Sequence, residues 1–401
     1  MIISLTHFLI HIYLHYTVSL CDRRITNGKV VENGKNYMVY LLNSQYSQNQ
    51  PDSWLCGGVI ISPTQVLTAA ACLTEVTQIY VIAGYKKYVS GNNIDKDECT
   101  RTRKQKIVKI IVYKDYNATL WIKFDIGIGI VEKPYDFLDT SYRTVCSYEP
   151  EAISINYDIK IETANSFGLV LGWGAATPKG PEVNNDTNSI YLKEAYTVLT
   201  NKSFCRNQIP ASLEYYFLCT QRLPERPKQR TGSVGVTTQT SITPDKCDYT
   251  NFNMSLAIPK ECLEITEVLF NRKANEHQVP EVNTYNGGNM NDSTLNNVKE
   301  NETVISKNEI QMSQLGGICQ NDHGGPLITT AGNKEIVMGI ALNSVYNKAY
   351  QCMGPYLFLS TARSSVLLKC LLSSNEETRR VCKSMKYDIK EYDVIWPDAN
   401  V

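Results

Sequence analysis

The sequence predicts an all-β protein. Short runs rich in β-branched and aromatic residues follow one another along the chain, namely YMVYLL, CGGVIIS, IYVIAG, QKIVKIIVY, DIGIGIVE and FGLVLGWG. They are separated by Gly, Pro, Asn and Ser, which favour turns, and this pattern is typical of a β-barrel or a β-sandwich. The best helix candidate is TARSSVLLKCLL, at Thr361–Leu372. We therefore expect many short strands and a C-terminal helix.

The chain is long enough for an extensive core, and its charges balance. It has 401 residues, of which 43% are hydrophobic, with 40 Lys and Arg against 40 Asp and Glu. A zero net charge offers no electrostatic basis for binding nucleic acid or an anionic membrane surface, so we expect neither as a partner.

Residues 1–19 are predicted to be a secretory signal peptide. The segment is apolar, contains no Lys, Arg, Asp or Glu, and has the small residues Thr17 and Ser19 near its end. A signal anchor is the alternative, because the segment is just long enough to span a bilayer. No later segment is a membrane candidate, so we expect a secreted protein that does not contact the membrane once the signal is removed.

Cysteine and sequon usage also indicates the extracellular space. The chain has 13 cysteines, which fits an oxidising compartment. Six N-x-S/T sequons mark candidate glycosylation sites, at Asn117, Asn185, Asn201, Asn253, Asn291 and Asn301.

Two segments differ from the strand-forming part of the chain. Residues 221–314 are rich in Asn, Thr, Glu and Lys, and we expect them to form a largely flexible polar insertion. Residues 373–401 are polar and charged, and we expect a C-terminal tail that is a surface appendage.

Five motifs resemble landmarks of one family. In chain order they are RRITNG (23–28), WLCGGVIISPTQVLTAAAC (54–72), FDIGIGIVEKP (124–134), VLGWG (170–174) and CQNDHGGPL (319–327). Together they resemble the chymotrypsin/trypsin-like serine proteases, peptidase family S1, over residues 25–372 apart from the insertion. The resemblance implies two packed six-stranded antiparallel β-barrels with a C-terminal helix.

The positions that correspond to the catalytic triad are degenerate. The family's histidine is replaced by Ala71 and its serine by His323, while Asp125 keeps the aspartate position. A serine hydrolase needs a hydroxyl, a base within hydrogen-bond reach and a carboxylate that orients the base. The resemblance therefore implies a catalytically inactive homologue.

The neighbouring positions depart from the family as well. The oxyanion glycine is replaced by Asn321, whose side chain we expect to bias the backbone away from the geometry that points an amide inward. The primary specificity position is Gly317, which supplies no charge. The far wall of that pocket aligns with residues 342–344, and the insertion enters beside it.

His323 could meet Asp125 across the former cleft and form a structural ion pair. Outside the leader the only other histidine is His277, in the insertion. Two histidines make a zinc hydrolase site improbable, so we expect no metal and no other cofactor.

The motif RRITNG resembles the family's activation site. Cleavage after Arg24 would remove a short activation peptide, residues 20–24, and free an amino group on Ile25. In the family that group pairs with an aspartate, which here is Asp322. Cleavage could then change conformation without starting catalysis; the alternative is that both residues are relics.

The resemblance also implies a disulfide framework. Three pairs match family spacings, Cys56–Cys72, Cys205–Cys219 and Cys319–Cys352, and Cys21–Cys146 resembles the bond that tethers an activation peptide. Cys247–Cys262 and Cys370–Cys382 are plausible local pairs, which leaves Cys99 for an intermolecular bond.

The leading hypothesis is a secreted, non-catalytic homologue that binds an extracellular protein. The partner would be a protease, a protease substrate or an inhibitor, and the role that of a cofactor, decoy or regulator in a proteolytic or immune cascade. One alternative is a structural glycoprotein of a secretion, with the insertion as its working part. Another is an endopeptidase with a non-standard site.

Overall fold

The computed structural model describes residues 25, 28–44, 55–117, 124–174, 188–209, 211–221, 316–319, 321–346 and 352–397. The strands in chain order are β1 (Lys29–Val30), β2 (Met38–Asn43), β3 (Leu55–Ser62), β4 (Gln65–Thr68), β5 (Ile79–Ala83), β6 (Gln105–Tyr113), β7 (Gly127–Val131), β8 (Ser154–Ile155), β9 (Phe167–Gly172), β10 (Lys193–Thr200), β11 (Phe217–Gln221), β12 (Pro326–Ala331), β13 (Lys334–Tyr346), β14 (Cys352–Ser360) and β15 (Ile389–Asp393).

The helices are α1 (Ala70–Thr74), α2 (Glu98–Arg103), α3 (Ser141–Cys146), α4 (Ser365–Leu372) and α5 (Glu376–Ser384). Single 3₁₀ turns or short 3₁₀ helices occur at Gly91–Asn93, Ile159–Ile161, Lys202–Gln208 and Ala211–Tyr216. The predicted C-terminal helix is confirmed as α4, which begins four residues later than the start of the apolar pattern.

Twelve of the strands form two closed antiparallel barrels, as the sequence predicted. In the first, the order β6-β5-β2-β3-β4-β7 closes through pairing of β7 with β6. In the second, the order β10-β11-β14-β13-β12-β9 closes through pairing of β9 with β10. Closure pairs most strand edges within each barrel, which limits pairing with other chains, although β6 extends beyond the two residues that pair with β5.

The alternating glycines of β7 let this strand pack closely. A Cβ on Gly127 would lie 2.9 Å from Cδ1 of Leu73, and one on Gly129 would lie 2.7 Å from Cδ1 of Ile107. The pattern GIGIV thus places isoleucines on one face of β7 and leaves room on the other for α1 and β6.

The interface between the barrels is aromatic. Trp173, from the VLGWG motif, is 2% exposed and its ring centroid lies 5.1 Å from that of Tyr40 in an edge-on arrangement. Its indole Nε1 donates to the carbonyl of Lys86 at 2.8 Å, so its polar atom is satisfied although it is buried.

The C-terminal segment is more than the surface appendage that we expected. β15 pairs with β6 from Ile389 opposite Tyr113 to Asp393 opposite Lys109. β5 pairs with only the first two residues of β6, so β15 extends the sheet along the part of the β6 edge that β5 leaves unpaired. The five residues IKEYD are mostly polar, and each of them is half-buried or exposed in the structure. The sequence therefore shows no clear strand pattern there.

The disulfides confirm four expected pairs and correct two expectations. Cys56–Cys72, Cys205–Cys219, Cys319–Cys352 and Cys370–Cys382 are formed. Cys146 is bonded to Cys99, with Cα atoms 4.9 Å apart, because α2 and α3 are neighbours. The predicted Cys21–Cys146 bond and the unpaired Cys99 are therefore wrong.

Several predicted segments lie outside the described residues. These are residues 1–24, the insertion beyond Gln221, the pair Cys247–Cys262, and the sequons at Asn185, Asn253, Asn291 and Asn301. Gln221 itself belongs to β11. The sequon residues Asn117 and Asn201 are both exposed.

Candidate functional site

The candidate site lies where the two barrels meet. Asp125 precedes β7 of the first barrel, and Ala71 is in the first turn of α1, which follows β4. His323 is in the loop before β12 of the second barrel, and its carbonyl accepts from the amide of Gly57 in β3 at 2.9 Å. Gly324 has φ of 78°, and a Cβ at this position would clash with the Thr68 hydroxyl. Both features require a glycine where this loop packs against the first barrel.

Asp125 and His323 form a hydrogen-bonded pair across this junction. The His323 Nε2 atom lies 2.8 Å from Oδ2 of Asp125, and the Ala71 amide donates to Oδ1 at 2.8 Å. The side chain of Asp125 is fully buried, whereas that of His323 is 27% exposed. With Asp125 ionised, Nε2 carries the proton, and in the neutral imidazole Nδ1 is the acceptor.

The methyl group of Ala71 adds no reactive group to the site, so the pair consists of a carboxylate and an imidazole.

One tyrosine near the pair was not predicted from the sequence. Burial and the Asp125 carboxylate raise the pKa of Tyr116, although its hydroxyl is not aligned for a hydrogen bond within the described residues. A protonated phenol is a poor nucleophile, and nothing in the spacing of KDYNAT marked it.

The oxyanion loop differs from our expectation. Asn321 has φ of 72°, in the left-handed region that glycine favours and that asparagine tolerates better than most residues. Its Nδ2 donates to Oδ1 of Asn188 at 2.9 Å, which helps to hold this conformation. The expected bias away from glycine-like backbone geometry is therefore wrong.

Gly317 lies against the ring of Tyr356 instead of facing open space. A Cβ built on Gly317 would overlap Cε2, Cζ and Cδ2 of that ring. Tyr356 is completely buried. Sequence analysis identified Gly317 and missed Tyr356, because contact between residues so far apart in the chain leaves no local pattern.

Ile25 and Asp322 are brought together around Gly172. Both residues are buried, and a Cβ on Gly172 would clash with Oδ1 of Asp322 and lie 3.4 Å from Cδ1 of Ile25. The Asp322 carboxylate accepts from the amides of Cys319 at 2.9 Å and Gly174 at 2.8 Å. Burial raises the pKa of Asp322 to about 7, and these two amides lower it only in part.

The described part of the chain shows neither a metal-binding cluster nor a membrane-spanning helix. It contains no group of three or more His, Cys, Asp or Glu side chains that could hold a metal ion. None of the helices in this part has the length and apolar character needed to cross a membrane.

Comparison with known proteins assigns the family. The family described as Trypsin matches residues 25–232, just over half of the chain. The chain is 30% identical over 162 residues to coagulation factor IX of Oryctolagus cuniculus, covering 40% of this chain and 52% of that protein. It is 32% identical over 155 residues to the clotting factor G beta subunit of Tachypleus tridentatus, covering 38% of this chain and 46% of that protein.

A third relative is the venom serine protease Bi-VSP of Bombus ignitus, 25% identical over 186 residues, which cover 46% of this chain and 47% of that protein. The chain spans about half the length of the curated relatives that it matches. The double barrel, the order of the five motifs and the family match agree, and the chain belongs to the chymotrypsin/trypsin-like serine protease family.

Proposed function

We propose that this chain is a secreted, non-catalytic member of the family that acts by binding an extracellular protein. The observation that carries the proposal is the hydrogen bond between His323 and Asp125. The residue at the nucleophile position has no hydroxyl, and its imidazole is bonded to the carboxylate that would orient the family's base.

The size of the chemical deficit supports this proposal. In subtilisin, which uses the same triad on an unrelated fold, removal of the nucleophile or the base alone reduces turnover by about 10⁶. Ala71 and His323 remove both. Even with the glycine-like backbone of Asn321, oxyanion stabilisation and binding without a triad leave only about 10³–10⁴-fold acceleration over the reaction in water.

The chemistry of the scaffold and the names of its relatives support an extracellular location and a protein partner. The described residues hold five disulfides, which persist in oxidising compartments. Two of the relatives are clotting factors by name. We infer a role in an extracellular proteolytic cascade, with a protease, its substrate or an inhibitor as the partner, and the chain as cofactor, decoy or regulator.

A fluorophosphonate probe tests the absence of catalysis. The full chain, before and after cleavage at Arg24, is expected to show no covalent labelling of any serine by mass spectrometry, under conditions that label trypsin completely. Heat-denatured chain is the background control. Stoichiometric labelling of a serine in the folded chain would overturn the proposal.

Capture from the native extracellular fluid tests the binding role. An Arg24→Gln variant, which cannot be cut after residue 24, is compared with the cleaved chain. We expect a specific protease, protease substrate or inhibitor to be retained in stoichiometric amount. A partner that binds only the cleaved form would support the switch through Ile25 and Asp322, and equal binding of both forms would contradict that switch.

A further inference from the structure

A cavity on the second barrel brings two cationic side chains together. Its volume is about 220 Å³, which is smaller than the roughly 300–1,000 Å³ typical of pockets for drug-sized ligands. Among the described residues that line it, Lys202 and Arg363 are cations and Glu162 is the only anion. None of the lining residues belongs to the candidate site at Asp125 and His323, so the cavity is separate from that site.

A buried carboxylate holds the guanidinium of Arg363 by one edge. The Nε atom of Arg363 donates to Oε2 of Glu162 at 2.6 Å, and the hydroxyl of Ser360 donates to the other carboxylate oxygen. The Glu162 side chain is fully buried, whereas that of Arg363 is 16% exposed. No hydrogen bond joins the Nη groups of Arg363 to the described residues, and these groups are not sealed from solvent. The Nη edge is therefore free to bind an anion side-on from the cavity.

Lys202 adds a second positive charge that is only partly compensated. Its Nζ atom donates to the carbonyls of Glu214 at 2.8 Å and Tyr215 at 3.0 Å, which leaves one of its three N–H groups. Burial, followed by the charge of Arg363, lowers the pKa of Lys202. Two cations thus share one buried carboxylate at this cavity, and a bound monoanion would balance the charge.

The ring of Tyr215 provides an apolar surface beside these cations. Its centroid lies 5.2 Å from Cζ of Arg363 and 5.7 Å from Nζ of Lys202, and the residue is 55% exposed. Asn201, which also lines the cavity, accepts from the amide of Ser203 through Oδ1, so its Nδ2 remains a donor. A ligand that suits all of these groups carries a carboxylate, hydroxyls and a ring with an apolar face.

We propose that this cavity is a binding site for a sugar acid of monosaccharide size, with its carboxylate on the Nη edge of Arg363 and its ring against Tyr215. The carboxylate matches the two parallel donors of a guanidinium, and Lys202 supplies a further donor. An acidic sugar on a secreted glycoprotein is a ligand of this class. The site goes beyond the proposed function and does not depend on the state of the triad positions.

Ligand-detected NMR with D-glucuronate tests the site. The full chain carries Ser203→Ala, which removes the sequon at Asn201 and keeps Asn201 itself, so that no glycan covers the cavity. We expect saturable binding of glucuronate. D-glucose, which lacks the carboxylate, should bind about tenfold or more weakly, and acetate, which lacks the ring, should also bind more weakly. Equal binding of glucuronate and either comparison compound, or no saturable binding of glucuronate, would overturn the proposal.

Two variants and a control test the binding side chains. Arg363→Gln is expected to weaken glucuronate binding about tenfold or more, because a charge-assisted contact is lost. Arg379→Gln is the matched control, since Arg379 is also bonded to a glutamate, Glu391, but lies outside the cavity, and binding should be unchanged.

Arg363→Gln alone leaves the carboxylate of Glu162 buried without its partner, which can impair folding. Glu162→Gln combined with Arg363→Gln removes both charges and is measured as well. Urea unfolding establishes that this double variant is folded. Binding of glucuronate by the folded double variant with unchanged affinity would overturn the proposal.

Discussion

The Nε2 atom of His323 lies 2.8 Å from Oδ2 of Asp125, and this bond joins the two barrels where the family places its catalytic histidine. Asp125 is completely buried, so its charge has to be compensated by the groups around it. The amide of Ala71 satisfies one carboxylate oxygen and His323 satisfies the other. A side chain from the nucleophile position has thus taken over a bond that a base would otherwise make.

Removing either partner of this pair is expected to destabilise the fold. His323→Ala leaves a buried carboxylate oxygen of Asp125 without its donor, which costs about 1–3 kcal/mol. In a double-mutant cycle with Asp125→Asn, urea unfolding should give a coupling energy of about 0.5–3 kcal/mol. The exposed pair Lys114–Asp388 serves as the control and should show much weaker coupling. Additive effects of His323→Ala and Asp125→Asn would show that the bond contributes nothing to stability.

Restoring the nucleophile alone is not expected to restore reactivity. His323→Ser supplies a hydroxyl but removes the imidazole, so no base remains next to Asp125. His323→Ser combined with Ala71→His should react with a fluorophosphonate at least about 100-fold faster than His323→Ser, because a positioned general base contributes about 10²–10⁴-fold. Asn321→Gly should add little, since Asn321 already has φ of 72°.

The control for this series is His323→Ser with Ala71→Gln, which fills the same space without a base. If it reacts as fast as the variant with Ala71→His, the gain comes from packing and not from general-base catalysis.

The patterns of short strands predicted an all-β protein, and the resemblance of five ordered motifs to the family predicted the two barrels and the positions of Asp125 and His323. Neither kind of sequence information predicted contacts between residues that are far apart in the chain. Tyr356 contacts Gly317, which lies 39 residues earlier in the chain. Cys99 meets Cys146 only because α2 packs against α3, and with 13 cysteines many other pairings were equally consistent with the spacing.

The predictions for the backbone at Asn321 and for the segment that forms β15 were wrong for a different reason. In both cases tertiary contacts outweighed the local conformational preference of the residues. Asparagine disfavours the left-handed region less than other residues do, and the bond to Asn188 stabilises that conformation. The polar sequence of β15 would not form a strand alone, but the uncovered edge of β6 supplies the partner that it needs.

The C-terminal segment is expected to contribute to stability through Trp396. Its indole Nε1 donates to the carbonyl of Ile107 at 2.8 Å, and its ring centroid lies 5.0 Å from that of Tyr80. Trp396→Ala should lower the free energy of unfolding by about 1–3 kcal/mol, below the cost for a core tryptophan because the ring is only half-buried. The neighbouring Ile395 is 86% exposed, and Ile395→Ala should have almost no effect. Urea unfolding that gives the same midpoint for both variants would contradict this role.

The stability of the uncleaved chain is expected to fall as pH rises from about 4 to about 7. Burial raises the pKa of Asp322 from 3.8 to about 7, so in this range the folded chain holds a proton that the unfolded chain has released. Folding is therefore favoured most below the unfolded pKa, and the advantage is lost as the pH passes the folded pKa. The total change is on the order of a few kcal/mol, since each pKa unit corresponds to about 1.4 kcal/mol.

Urea midpoints at pH 5 and pH 8 measure this slope, and Asp322→Asn provides the comparison. An asparagine cannot ionise, so the part of the slope that is due to Asp322 should disappear even though the variant loses one of the two amide bonds. In chain cut after Arg24, an ammonium on Ile25 would lie beside Asp322 and favour its charged form, which should reverse the sign of this contribution. Identical slopes for the uncut chain, the cut chain and Asp322→Asn would show that Asp322 does not titrate in this range and that cleavage does not reach it.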